Sequence, residues 1–114
     1  MSECIFCQIV AGKVPSTIVA ESDHAVAFRD ISPHAPVHVL VVPRQHVDSA
    51  DHLTDADAAV VGELVLLAQR VAEIDGIRDS GYRLIMNVGP DAMMSVPHLH
   101  LHVLGGKQLG GHLG

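Results

Sequence analysis

The chain has 114 residues, 48% of them hydrophobic, with 7 Lys and Arg against 13 Asp and Glu and a formal charge of -6. That length holds one domain with one core, read as residues 1–114 with about 105–114 as a flexible glycine-rich tail. So few and so outnumbered cations exclude a long nucleic acid, whose phosphates need clustered Lys and Arg, but a single nucleotide stays within reach of backbone N–H groups, hydroxyls and the 9 histidines.

The start, MSECIFCQIV, has neither the basic end nor the long apolar run of a signal peptide, and no stretch has the apolar length of a membrane span. A cytoplasmic protein away from membranes is expected. In that reducing compartment the pair Cys4-x-x-Cys7 reads as metal-binding or redox-active rather than as a structural disulfide. Residues 5–11 predict a short helix, stopped by Gly12 and Pro15. Residues 17–20 and 25–28 predict a hairpin turning at Glu21, Ser22 and Asp23. ISPHAP, with Pro33 and Pro36, predicts a loop, and residues 38–42, bounded by Pro43, a buried strand. Residues 44–53 are polar and irregular. Thr54, with Asp57 following, has the form of a helix N-cap; Val60, Val61, Leu64, Leu67, Ala68, Val71 and Ile74 then recur at helical spacing up to Gly76 as the C-terminal cap. Residues 82–88 and 97–104 predict the last two strands, on either side of the loop GPDAMMS. Five strands, one long helix and a short N-terminal one make an α+β domain with a largely antiparallel sheet.

In PHLHLHVL the strand period of two sends His98, His100 and His102 to one face and Leu99, Leu101 and Val103 to the other, where they can pack beneath the long helix. Besides a merely polar solvent face, such a row offers two chemistries. Two or three imidazoles can hold zinc and activate water. Alternatively one is a nucleophile flanked by helpers, which requires its other ring nitrogen to donate its proton to a nearby carbonyl, leaving the reactive one bare.

The pattern His-φ-His-φ-His-φ-φ, with φ apolar, stands here as HLHLHVL, preceded in order by CIFCQIVAGKVP, AFRDISPHAP, HVLVVPRQH and YRLIMNVG. With these motifs the chain resembles the Hint branch of the histidine-triad (HIT) family over nearly its whole length. The resemblance implies a HIT-like fold, a homodimer pairing two sheets into one of ten strands, and metal-independent hydrolysis of purine nucleoside phosphoramidates such as an AMP-lysine conjugate. It implies that His100 attacks the α-phosphorus, expels the amine and forms a nucleotidyl-histidine that water hydrolyses, two easier displacements in place of one. On it, His102 binds a phosphoryl oxygen, Ser95 and Asn87 assist around phosphate and leaving group, and His98 and His38 complete the catalytic cluster. Asp30 takes the ribose hydroxyls, and Ile5, Phe6, Ile9, Phe28 and Ile31 line the base pocket. Some bacterial members hold a structural zinc, and the matching positions are Cys4, Cys7, His46 and His98. A zinc hydrolase built on the triad and a non-catalytic nucleotide sensor are the competing readings.

The loop before the triad departs from the family's small-Gly-Gln-Ser, reading Ala92-Met93-Met94-Ser95. Met93 stands where glycine allows positive φ and a close approach to an anion, so it meets a steric penalty and projects a thioether toward the nucleotide. Retained nucleotide binding with an altered leaving-group preference is expected. The ending GGHLG replaces an aromatic-Pro-Pro tail that helps to choose the leaving group; a disordered tail is expected there, with His112 as the alternative occupant.

Overall fold

The computed structural model describes residues 4–111, so His112 lies outside the described residues. In chain order the elements are α1 (Ile5–Val10), β1 (Ile18–Glu21), β2 (Ala25–Arg29), β3 (Val37–Pro43), α2 (Ala58–Ile74), β4 (Tyr82–Ile85) and β5 (Leu101–Gly105). Short 3-10 turns at Ala50–His52 and Pro90–Ala92 fall in segments too short and polar to show a period. The strands form one antiparallel sheet in the order β1-β2-β3-β5-β4.

Alternation decides what each face meets. Ala25, Ala27, Val39, Val41, Leu101 and Val103 face α2, which answers with Leu64, Leu67, Ala68, Val71 and Ala72 at helical spacing. Ile74, expected in that stripe, lies outside it and is exposed. The residues between, Val26, Phe28, Leu40 and Val42, face the other way and take Phe6, Ile9 and Val10 of α1. A sheet covered by a long helix on one side and a six-residue helix on the other results.

The ends of α2 follow its caps. The Thr54 N–H donates to the Asp57 carboxylate at 2.9 Å, as the sequence predicts, but this cap opens a 3-10 turn over Asp55–Asp57, and the α-helical ladder begins only at Ala58. Gly76 turns the chain at φ +71° and lets the Ile77 N–H reach the Ala72 carbonyl at 2.9 Å. Two polar clamps tie α2 to the sheet. Arg29 holds Asp75 through two hydrogen bonds of 2.8 and 3.0 Å, and Glu63 accepts from the Ser22 hydroxyl and the His24 N–H in the first hairpin.

Both C-terminal strands are shorter than their apolar runs. β4 stops at Ile85, and the β5 ladder starts at Leu101, after His98 and His100. Those residues still alternate, because the Leu99 N–H bonds to the Val47 carbonyl at 2.7 Å and its side chain joins the α2 core. At its other end β5 runs to Gly105, one residue into the segment read as tail, and Arg83 donates to the Gly110 carbonyl at 2.9 Å. No helix among the described residues is long and apolar enough to cross a membrane.

Candidate active site

A cleft of about 580 Å³ opens on the side of the sheet that carries His38 and His102. One wall is the loop after β2, with Asp30, Ser32 and His34; the other is the stretch after β4, with Asn87, Ala92, Met93 and Ser95. His38, His100, His102, Ile85 and Leu104 complete the lining. Register brings them together: His102 pairs with Ile85 on one side and Leu40 on the other, and His38 pairs with Leu104.

The hydrogen bonds decide where each proton sits. His100 Nδ1 lies 2.7 Å from the His98 carbonyl oxygen. A carbonyl only accepts, so Nδ1 carries the proton and Nε2 of neutral His100 keeps a bare lone pair. His38 is anchored the opposite way, because the His34 backbone N–H donates to its Nδ1 at 3.0 Å. Its proton is therefore on Nε2 and is donated to His102 Nδ1 at 2.9 Å. His102 is left as an Nε2–H donor. A nitrogen with a bare lone pair and a hydrogen-bond donor thus stand side by side, with the rings of His100 and His102 5.0 Å apart.

Burial favours the neutral forms of His102 and His38. Burial, reinforced by His100 and His38, pushes His102 down to about 4. Burial also lowers His38, opposed in part by Asp30, whose Oδ2 lies 3.6 Å from His38 Nε2. Asp30 itself is oriented by the Ser32 N–H, which donates to Oδ1 at 2.7 Å and leaves Oδ2 toward His38.

His98 departs from its expected place among the catalytic residues. Its side chain is 0% exposed and does not line the cleft. Nε2 donates to the Pro43 carbonyl at 3.0 Å, and Nδ1 lies 3.2 Å from Cys4 Sγ, 3.5 Å from Cys7 Sγ and 3.1 Å from His46 Nδ1. Only its main-chain carbonyl serves His100. His46 Nε2 in turn donates to Asp48 at 2.6 Å, so both Nδ1 atoms present lone pairs to each other. Two such lone pairs at 3.1 Å repel unless a cation lies between them, and the four ligand atoms all lie within 4.8 Å of one another. Two sulfurs and two imidazole nitrogens, each ring held from behind by a carbonyl or carboxylate, fit tetrahedral zinc.

The predicted base pocket is not part of the cleft lining. Phe6 and Phe28 pack edge to face at 5.4 Å inside the apolar cluster under α1, joined by Ile9, while Ile31 is 94% exposed. Ile5 is exposed as well. His34, Ser32, Ile85 and Leu104 line the cleft without having been singled out; Ser32 and His34 lie in the ISPHAP loop, where the signal was available. Met93 sits at φ +59° and ψ +36°, the left-handed conformation that its glycine-replacing position implies, and lines the cleft while 85% exposed. A second depression of about 630 Å³ near Arg83 and Lys107 contains no histidine or carboxylate.

With this geometry in view, the HIT domain family matches residues 11–109. The chain belongs to the HIT family. It is 40% identical to the purine nucleoside phosphoramidase of Escherichia coli (strain K12), over 95% of this chain and 91% of that protein. Among solved structures, a histidine triad protein from Clostridium difficile matches with a TM-score of 0.95 at 40% identity, covering 99% of this chain and 98% of that one. A HIT family hydrolase from Clostridium thermocellum matches with a TM-score of 0.96 at 40% identity, over 99% and 98%. The α+β fold of this HIT protein is the one those relatives share.

Proposed function

We propose that this HIT protein hydrolyses purine nucleoside phosphoramidates through a covalent nucleotidyl-histidine on His100. The observation that carries the reading is the hydrogen bond from His100 Nδ1 to the His98 carbonyl, which leaves Nε2 as a nucleophile in the cleft. In the first step Nε2 forms a bond to the α-phosphorus as the P–N bond breaks, and the Ser95 hydroxyl relays a proton from solvent to the departing amine, taking one from water as it gives one up. His102 Nε2–H stabilises the charge that gathers on a phosphoryl oxygen. Water then attacks the same phosphorus, the P–Nε2 bond breaks, and the nucleoside monophosphate leaves. Asp30 takes the ribose hydroxyls, Asn87 the phosphate side, and the base lies toward exposed Ile31 and the edge of the Phe6, Ile9 and Phe28 cluster.

Cys4, Cys7, His46 and His98 hold a zinc ion on this reading, supported by the four converging ligand atoms. Zinc closed by four protein ligands supplies structure, with no open position for water. Thiolate ligands of this kind suit a reducing, cytoplasmic setting. The chain works as a homodimer, a reading supported by the open outer edge of β4 and by Leu84, which is 37% exposed although its ladder partner Val103 is fully buried.

The test is mass spectrometry of enzyme quenched during turnover of an adenosine phosphoramidate, which finds the adenylyl group on His100. His100→Asn is expected to lose about 10³-fold or more in turnover while still folding and binding AMP. Near-normal turnover by that variant overturns the assignment.

A further inference from the structure

The zinc ligands stand unusually close to the nucleophile, and their chemistry differs from that of the cleft. We propose that Cys4 and Cys7 are a peroxide-reactive thiol pair whose oxidation to a disulfide empties the metal centre and loosens His100. The proposal rests on the zinc reading above.

Access and geometry both favour the reaction. Cys4 and Cys7 are half-buried and His46 is exposed, so the sulfurs lie on the outer side of the cluster, whereas His98 forms its buried inner wall. The two Sγ atoms lie within 4.8 Å of each other, and the Cys7 N–H donates to Cys4 Sγ at 3.4 Å, so both sulfurs sit at the same end of α1. One thiolate attacks a peroxide oxygen; the O–O bond breaks, giving a sulfenic acid and hydroxide. The second thiolate attacks the sulfenic sulfur; the S–S bond forms, the S–O bond breaks, and a second hydroxide leaves. Two protons convert the hydroxides to water. The sulfurs lose the two electrons that the peroxide gains, and the metal, left with two imidazoles, departs as a divalent ion.

Two contacts carry the consequence to the nucleophile. His98 is held through Nε2 by Pro43 and through Nδ1 by the metal cluster, and its carbonyl fixes the proton of His100. Phe6, between the two cysteines in sequence, rests edge-on against His98 at 5.8 Å and against His100 at 5.1 Å. Both sulfurs and this ring belong to one end of α1, a helix of six residues that is too short to persist without its tethers. Asp30, in the loop after β2, and His102, on β5, are away from those tethers, so nucleotide binding outlasts the loss of turnover.

The experiment uses the full chain loaded with zinc, its metal content measured first by plasma mass spectrometry. Hydrogen peroxide is then titrated while a chromogenic chelator reports released zinc, intact mass reports the thiols, and kcat, KM and AMP affinity are measured on the same samples. One equivalent of zinc is expected to appear in step with a loss of about 2 Da. With it, kcat falls about tenfold or more while AMP affinity changes by less than about threefold. Dithiothreitol with zinc restores both. Methionine oxidation adds about 16 Da and is not reversed by the thiol, so it is told apart. The ¹⁵N resonances of the His100 ring, a single Nδ1–H tautomer before oxidation and a mixture after it, report the loosening without any turnover. Zinc and thiols that survive peroxide, or a disulfide that forms and ejects zinc with kcat and His100 resonances unchanged, overturn the proposal. A chain that takes up no zinc at the first measurement overturns the zinc reading, and the proposal with it.

Discussion

Met93 offers the sharpest test of how this loop is built. Its φ of +59° is the one positive value outside glycine among the described residues. An L-residue there costs about 1–2 kcal/mol through the contact of Cβ with the following carbonyl. The side chain is 85% exposed, so removing it gives up little buried area. Glycine widens the unfolded ensemble and returns about 0.5–1 kcal/mol of the gain. Met93→Gly is therefore expected to stabilise the protein by about 0.5–1 kcal/mol, raising Tm by roughly 2–6 °C. Met93→Ala keeps the strained φ and is expected within about 0.5 kcal/mol of the parent. The assay is urea unfolding of all three at equal protein concentration. If the glycine variant is no more stable than the alanine variant, the backbone is not strained at this position and the reasoning fails.

Other expectations follow from the same geometry. His102 titrates near 4 in the folded chain and near 6.5 when unfolded, so the unfolded state takes up the proton first as pH falls. Stability that is complete above about pH 6.5 should decline toward pH 4, by about 1–2 kcal/mol between pH 7 and 5; urea midpoints should show a weaker slope in His102→Asn, and an equal slope would refute the assignment. Asp30→Asn keeps an oxygen to accept the Ser32 N–H but loses the charge, so calorimetry should find AMP affinity about tenfold weaker with an unchanged melting temperature. If the proposed homodimer pairs through β4, Leu84→Arg places a charge in its interface, and sedimentation should find a dimer for the parent chain and a monomer for the variant; an unchanged dimer would move the interface elsewhere.

The layers of this fold were legible because strand and helix periods assign side chains to faces. Alternation in residues 98–103 and the helical spacing of Leu64, Leu67, Ala68 and Val71 each name a face, and the apolar run at 38–42 marks a strand buried on both sides, as found. The ends of elements were not, since they depend on contacts distant in sequence. Thr54 and Asp57 form the expected cap, yet nothing local says that one 3-10 turn precedes Ala58. Likewise Val88 is as apolar as Ile85, yet the pairing of β4 ends at Ile85, opposite His102. Ile9 and Phe28 show the limit of composition as a guide to a site: an apolar residue reads the same whether it faces a ligand or a neighbouring helix.

The histidine row shows how a wrong boundary conceals a right alternation. A ladder starting at residue 97 would commit the His98 carbonyl to a neighbouring strand. Because pairing begins at Leu101, that carbonyl is left to accept the proton of His100, two residues on, and this single bond turns a generic imidazole into one with a bare Nε2 in the cleft. The same unpaired stretch lets His98 turn its ring to Pro43 and the cysteines, while His102, inside the ladder, is held by His38 from β3. Three identical side chains at equal spacing therefore acquire three different settings from the backbone around them: His98 as buried anchor, His100 with a bare Nε2 in the cleft and His102 as donor. Side-chain period predicts the shared face. The division of labour follows from where the sheet's hydrogen bonding starts.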